Sequence, residues 1–415
     1  MSFSFRHALE LTSHLIYGMS KITTEQVSAI CTAAAQVLQE GRYADQAIER
    51  QIKAHPHWSF VEQGFVAEQI YAIVRYYRML CALLGKTPSS SLEWEDLLGV
   101  WLILQDHPLG KQFKFLNPAQ IRTAYHNIVE QRAIRESIPD WLDELGAQEL
   151  GAQWEPILKA LNESPRLVLR VNLLKTDLPA LQQHLQQFNI LGIPLAEDAF
   201  LIQQRGKLYS TPAFQNGWFE VQDYSSQQVA PFLQVEPGMR VIDACAGNGG
   251  KALHLAALMQ NKGHIIALDT DARKLEQLRL RARRAGVSII ETRLIESTKT
   301  IKRLAQSADR LLLDVPCSGL GVLRRNPDAR WRLSIEQLSS LKALQQQLLE
   351  SYPKMCRPSG KIVYATCSIL PSENQLQVDK YLNGVATNYV VEDSKTILPQ
   401  DEGFDGFFMS RFKHT

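Results

Sequence analysis

From Met239 onward the sequence alternates short apolar runs with longer amphipathic stretches, and this alternation restricts the fold more than any other feature. The runs are Arg240–Ala244, His264–Leu268, Val287–Ile290, Arg310–Val315 and Lys361–Ala365. Between them lie segments of helical period, for instance Ile335, Leu338, Leu341, Leu344 and Leu348. Strands joined through helices form parallel sheets with helices on the faces, so the pattern predicts an α/β, doubly wound domain. Ligands in such a sheet bind beyond the carboxyl ends of the strands.

Upstream the pattern changes twice. Residues 1 to about 135 read as helix throughout. Thr23-x-x-Gln26 forms a capping-box pattern before Ile30–Leu38, and Ser90-x-x-Glu93 precedes a helix carrying Trp94, Leu97, Leu98, Trp101 and Leu102. An acidic stretch from Pro139 to Glu155 reads as a connection. Leu167–Asn172 and Ala199–Gln203 then read as strands flanking a helix over Leu178–Phe188, a small α+β subdomain. The domains expected are 1–145, 146–225 and 226–415, in keeping with a chain of 415 residues.

The first strand of the α/β domain runs into Cys245-Ala246-Gly247-Asn248-Gly249-Gly250-Lys251. A glycine-rich turn lets backbone approach a ligand, and the helix start behind it favours an anionic group. No Gly-Lys-Ser/Thr follows, so this is not a phosphate-binding P-loop, and the dinucleotide fingerprint is incomplete because Ala252 holds its third position. Asp269, at the end of the next strand, is placed to bind ribose hydroxyls. Both S-adenosylmethionine and NAD satisfy these residues.

Two cysteines close the fourth and fifth runs, in Asp314-Val315-Pro316-Cys317-Ser318-Gly319 and Ala365-Thr366-Cys367-Ser368. Neighbouring strands lie about 4.8 Å apart, so thiols 50 residues apart in sequence are expected to share one site. A thiol needs activation to act as a nucleophile, and Lys251 is the nearby cation. Paired thiols suit a cytosine ring, whose C5 is a poor nucleophile until a thiolate adds at C6. Asp314 is placed to hydrogen-bond the N3/N4 edge of such a base. Cys31, Cys81 and Cys356 read as small buried hydrophobes.

With these motifs the chain resembles the Sun (Fmu) family of RNA cytosine-C5 methyltransferases. The resemblance runs through Arg170-Val171-Asn172 with Lys175, Trp218 to Ser226, the cofactor loop, Leu312 to Gly319, Arg324 to Asp328 with Trp331, Val363 to Asn374 and Asp405 to Phe408. It implies a class I, Rossmann-like, S-adenosylmethionine-dependent methyltransferase domain behind the α+β (RRM-like) subdomain and a NusB-like helical domain, the last carried by Tyr43–Ile52 and Phe65–Arg75. It implies a cytosine of ribosomal RNA, 16S foremost, as substrate. Cys367 would be the nucleophile and Cys317 would assist release, with Asp314 and Lys251 completing the catalytic set. Cys245 to Lys251, Asp269 and Asp314 would contact the cofactor. The family loop reads Ala-Pro-Gly-Gly-Lys-Thr where this chain has Gly247-Asn248-Gly249-Gly250-Lys251-Ala252. The family's acidic residue after the third strand is missing from Arg293–Ser297, where Glu296 is the substitute.

The formal net charge is only +2, so any case for nucleic acid rests on local clusters. Residues 273–284 hold six basic residues against one acidic. Arg324, Arg325 and Arg330 follow the Cys317 loop and are expected to face RNA phosphates, whereas Tyr224 and Trp331 read equally as base-stacking surfaces or as packing residues. Six cysteines without a Cys-x-x-Cys argue against zinc. Met1–Gly18 does not resemble a signal peptide, and the longest apolar stretch, Leu97–Leu104, is too short to span a membrane. A monomeric cytoplasmic enzyme is expected. A tRNA methyltransferase, a catalytically inactive RNA-binding assembly protein and an NAD-dependent oxidoreductase are the competing classes.

Overall fold

The computed structural model describes residues 22–204, 206–384 and 388–415. The Met1–Gly18 stretch lies outside the described residues. The chain divides into two compact units: residues up to Ser164 together with Leu323–Ser334, and Pro165–Val322 together with Ile335–Thr415.

The first unit is helical. Its longest helices are Thr24–Leu38, Phe60–Leu84 and Ser91–Leu104, packed around Ile30, Ile70, Ile73, Leu97 and Trp101. Thr23 and Gln26 form the expected capping box, and Ser59 with Glu62 forms a second. Ser90 caps Glu93, but the Glu93 carboxylate turns to Ser89 and Lys86 instead of closing a box.

Phe60–Leu84 is kinked at Tyr76, whose φ of −102° and ψ of 17° leave the helical range. A kink takes donors and acceptors out of the i to i−4 ladder, and buried groups so released need other partners. The amides of Arg78 and Met79 donate to Ser137 Oγ at 2.8 and 3.4 Å. One turn earlier, the Val74 carbonyl accepts from Trp331 Nε1 at 2.6 Å and the Arg75 carbonyl from Arg330 Nη1 at 3.4 Å.

This corrects the expectation for the arginines after the Cys317 loop. Arg330 is 1% exposed and also donates to the carbonyls of Glu136 and Ser137 and to Asn162 Oδ1. Arg324 is equally buried, with Nη2 on the Ala160 carbonyl at 2.8 Å. Guanidiniums surrounded by carbonyls inside a helical core do not reach a phosphate. Arg325 is half-buried. Trp331 packs edge-on to Tyr77 within the same unit rather than presenting a stacking face.

The second unit carries two sheets. The smaller is antiparallel, in the order β2 (Leu191–Ala196), β3 (Ala199–Gln204), β1 (Leu167–Val171), β4 (Phe219–Val221), with helix Leu178–Gln186 over a core of Leu169, Leu181, Phe200 and Phe219. The larger has the order β10 (Tyr389–Ile397), β11 (Phe407–His414), β9 (Cys356–Thr366), β8 (Ala308–Asp314), β5 (Arg240–Asp243), β6 (His264–Asp269), β7 (Ile290–Leu294). β5 to β9 run parallel, as the alternation predicts. β10 and β11 add an antiparallel hairpin, so the sheet is mixed rather than wholly parallel. β7 starts three residues later than expected, at Ile290 rather than Val287.

Candidate active site

β8 and β9 are adjacent, with Asp314 in register with Ala365. The loops that follow therefore leave the same edge side by side. Cys317 Sγ lies 3.3 Å from Cys367 Sγ, so the expected juxtaposition of the thiols is met. Further contacts hold the loops in place. The Gly321 amide donates to the Cys367 carbonyl at 2.9 Å, and the Gly406 amide to the Gly321 carbonyl at 2.8 Å. A Cβ at Gly321 would fall 2.2 Å from the Gly406 carbonyl oxygen, so only glycine allows this approach.

The Cys317 thiol is pushed well above its ordinary range. Its hydrogen bond with Cys367 is the main cause, followed by burial and then the charges of Cys367 and Glu373.

Lys251, from the first turn of helix Gly250–Leu258, places Nζ 2.5 Å from Asp314 Oδ2 and 5.2 Å from the Phe407 ring centre. Burial works against its charge, but Asp314, with smaller help from Cys367 and Asp243, outweighs it, and the ammonium is held above its usual range. Lys251 and Asp314 thus form a largely buried ion pair beside the thiols.

The glycine turn is shaped by Asp269. Its Oδ2 accepts from the Gly247 amide at 2.9 Å and its Oδ1 from the Asp271 amide at 2.8 Å. Gly247 and Gly249 both have positive φ, 53° and 82°, and a Cβ at Gly249 would sit 2.4 Å from Leu278 Cγ. Ala246 is buried, Asn248 exposed, and Gly250 lends its carbonyl to Arg170 at 2.6 Å. Cys245 is half-buried, and burial with the carboxylates around it raises its thiol well above normal. Glu296 is exposed just beyond β7, next to Ile295, whose amide donates to the Asp269 carbonyl at 2.9 Å.

Two functional groups escaped the sequence reading. Asp243, at the end of β5, is 1% exposed, and its carboxylate oxygens lack a hydrogen-bond partner among the described residues. Burial first, then the charge of Asp314, raises its acid to about 7. The Asp243-Ala244-Cys245 spelling signalled a strand end but not an orphaned carboxylate. An unpaired buried acid beside a glycine turn with exposed backbone fits a ligand carrying an ammonium group and a polar, hydroxyl-bearing part. S-adenosylmethionine has both, and these residues fit it.

The second missed group is Glu373. Fully buried, it accepts from the Ser318 amide (2.8 Å), Ser318 Oγ (2.5 Å), Ser368 Oγ (2.5 Å) and Gln345 Nε2 (3.0 Å). Its place after a proline-containing turn gave no sign of this. Tyr224, read as either a stacking surface or a packing residue, packs against Phe404 with ring centres 5.1 Å apart. On helix Ala272–Ala285, Arg281 and Arg284 are engaged by Glu220, whereas Arg273, Lys274, Arg279 and Arg283 are exposed.

Residues 230–413 match the family model of the 16S rRNA methyltransferase RsmB/F. Residues 138–208 match that of the RsmF/B-like ferredoxin-like domain. The probable ribosomal RNA small subunit methyltransferase B of Synechocystis sp. is 31% identical over 442 aligned positions, covering 89% of this chain and 95% of that protein. The crystal structure of PH0851 superposes with a TM-score of 0.82 at 24% identity, over 95% of this chain and 99% of that one. A methyltransferase homologue from Pyrococcus horikoshii gives 0.62 at 25% identity, over 69% and 98%.

Proposed function

The chain belongs to the 16S rRNA methyltransferase RsmB/F family, and on that premise we propose that it methylates C5 of a cytosine in small-subunit ribosomal RNA through a covalent Cys367–C6 adduct. The 3.3 Å approach of the two thiols beside the Lys251–Asp314 pair is the observation that carries this reading.

Cys367 Sγ gives up its proton to solvent and forms a bond to C6, and the displaced ring electrons collect toward C5 while N3 takes up a proton from solvent. Asp314 would accept a hydrogen bond from that N3–H, and Lys251 keeps its carboxylate in place. Asp243, the Cys245–Lys251 turn, Asp269 and Glu296 would hold S-adenosylmethionine, which would supply an electrophilic methyl group for C5. The C5 proton must then leave and the S–C6 bond must break, its electrons returning to Cys367.

Cys317 serves this last step. Its proton is held first by the hydrogen bond with Cys367, then by burial and by the charges of Cys367 and Glu373. Once Cys367 is a neutral thioether its charge no longer opposes ionisation, so Cys317 can pass its proton to solvent and accept the one from C5. On this reading Cys367 acts first and Cys317 second.

The exposed basic side chains of Ala272–Ala285 provide the counter-charge for RNA backbone on this unit. The six cysteines are free thiols, which suits a reducing cytoplasm. Among the described residues no helix is long and apolar enough to cross a membrane.

Bisulfite sequencing of ribosomal and transfer RNA from cells with and without the gene tests the reading. Loss of one cytosine mark in 16S rRNA is expected. Loss of a tRNA mark alone, or of none, overturns it.

A further inference from the structure

The two reacting cysteines are each followed by serine, and both serines end on one carboxylate. Ser318 gives Glu373 its amide and its hydroxyl, Ser368 gives its hydroxyl, and the two hydroxyl oxygens are 3.3 Å apart. Gln345, from helix Ile335–Ser351, adds a fourth donor and also holds the Pro316 carbonyl just before Cys317, both at 3.0 Å. Tyr364 in β9 donates to the Glu373 main-chain carbonyl at 2.7 Å, and neighbouring Asn374 donates to the Ser368 carbonyl at 3.0 Å. Four donors converging on an acceptor-only group is the pattern of a carboxylate anion. That anion is buried, and none of its hydrogen-bond partners is a cation.

A buried charge without a cationic partner is costly, and a neutral side chain would tie two loops more cheaply. The charge therefore has a use beyond the ties. It raises the Tyr364 hydroxyl, and it adds to the influences that hold Cys317 protonated.

We propose that Glu373 is a positioning residue for the thiol pair: it ties together the residues that follow Cys317 and Cys367, sets their spacing, and keeps the negative charge of the pair on Cys367. This rests on the reading of Cys367 as nucleophile. The serines give the clamp its grip, and the carboxylate gives it its sign.

The test uses the full chain with Glu373→Gln and with the double change Ser318→Ala/Ser368→Ala. In Glu373→Gln the amide oxygen still accepts from the Ser318 amide and Gln345, while the amide nitrogen donates to hydroxyls that rotate to accept, so the ties survive and only the charge is lost. Alkylation by iodoacetamide is followed across pH by mass spectrometry of the Cys317 and Cys367 peptides. Adduct formation is followed separately with an RNA carrying 5-fluorocytosine. In Glu373→Gln the Cys317 midpoint should fall, because one of the charges that hold its proton is removed. Cys317 then competes with Cys367 for the reagent, and the adduct forms at least about tenfold more slowly. The double serine variant should leave the Cys317 midpoint closer to wild type but slow the adduct by a similar factor, because spacing rather than charge is lost. An unchanged Cys317 midpoint in Glu373→Gln overturns the charge role, and adduct rates within twofold of wild type in both variants overturn the clamp. If wild type forms no adduct at all, the cytosine reading fails, while the alkylation profiles still decide whether Glu373 sets the state of the thiols.

Discussion

Lys251 Nζ sits 2.5 Å from Asp314 Oδ2 at the point where the glycine turn, β8 and the thiol loops meet. The two side chains are 13% and 26% exposed, so the pair is shielded but not sealed. Removing the cation leaves Asp314 close to the buried Asp243 with nothing to offset their repulsion. Lys251→Met should cost roughly 3 kcal/mol, the low end for breaking a buried pair. Urea denaturation measures this, and a loss below about 1 kcal/mol would show the pair to behave like a surface ion pair.

The thiols should separate cleanly in function. Cys367→Ala is expected to lose both methyl transfer and adduct. Cys317→Ala should still add and transfer but release slowly, so that a protein–RNA species accumulates on a denaturing gel while turnover falls by about 10²–10⁴-fold, the usual worth of a general acid or base. An adduct that survives Cys367→Ala would reverse the assignment.

Asp243 predicts a pH dependence of stability. Its folded acid is raised to about 7, above an unfolded value near 4. Below the unfolded value both states carry the proton, and the folded state has its full stability. As the pH climbs toward 7 the unfolded chain ionises first, so folding is progressively penalised, by up to about 4 kcal/mol. Asp243→Asn removes this slope. Comparing denaturation midpoints at pH 5 and pH 8 should show the variant gaining on wild type at the higher pH, while on the proposed reading its binding of S-adenosylmethionine should weaken, because the negative charge opposite the ammonium is gone.

Arg330 should behave as a core residue of the helical unit. Burial lowers its guanidinium to about 9, and its donors close carbonyls at and around the Tyr76 kink. Arg330→Met is expected to destabilise by about 3 kcal/mol, through buried carbonyls left without donors. The salt dependence of RNA binding by the folded protein should not change. A shallower salt slope, by about one counterion, would instead mark a phosphate contact.

Much of the catalytic unit was legible in residue order. The alternation after Met239 marked β5, β6, β8 and β9, and the shared ends of β8 and β9 placed Cys317 beside Cys367. β10 and β11 were passed over: Tyr389–Ile397 is mostly polar and exposed, because an edge strand buries little and carries little apolar signal. Arg324 and Arg330 misled because charge in a sequence ordinarily means surface. The kink at Tyr76, invisible in the local pattern, leaves the Arg75 carbonyl to Arg330, and the turn at Glu136 and Ser137 supplies the other carbonyls that it answers.

The sequence by itself determined the class of fold, the glycine turn, and the two thiols with their acid and lysine partners. These depend on period and on residues a few positions apart, which local chemistry dictates. Tertiary structure alone decided which charges are spent inside the protein and which remain for chemistry. Glu373 on Ser318 and Ser368, Asp243 without a partner, and Arg330 on the kinked helix are outcomes of burial and hydrogen-bond satisfaction, and those are settled only when distant segments come together.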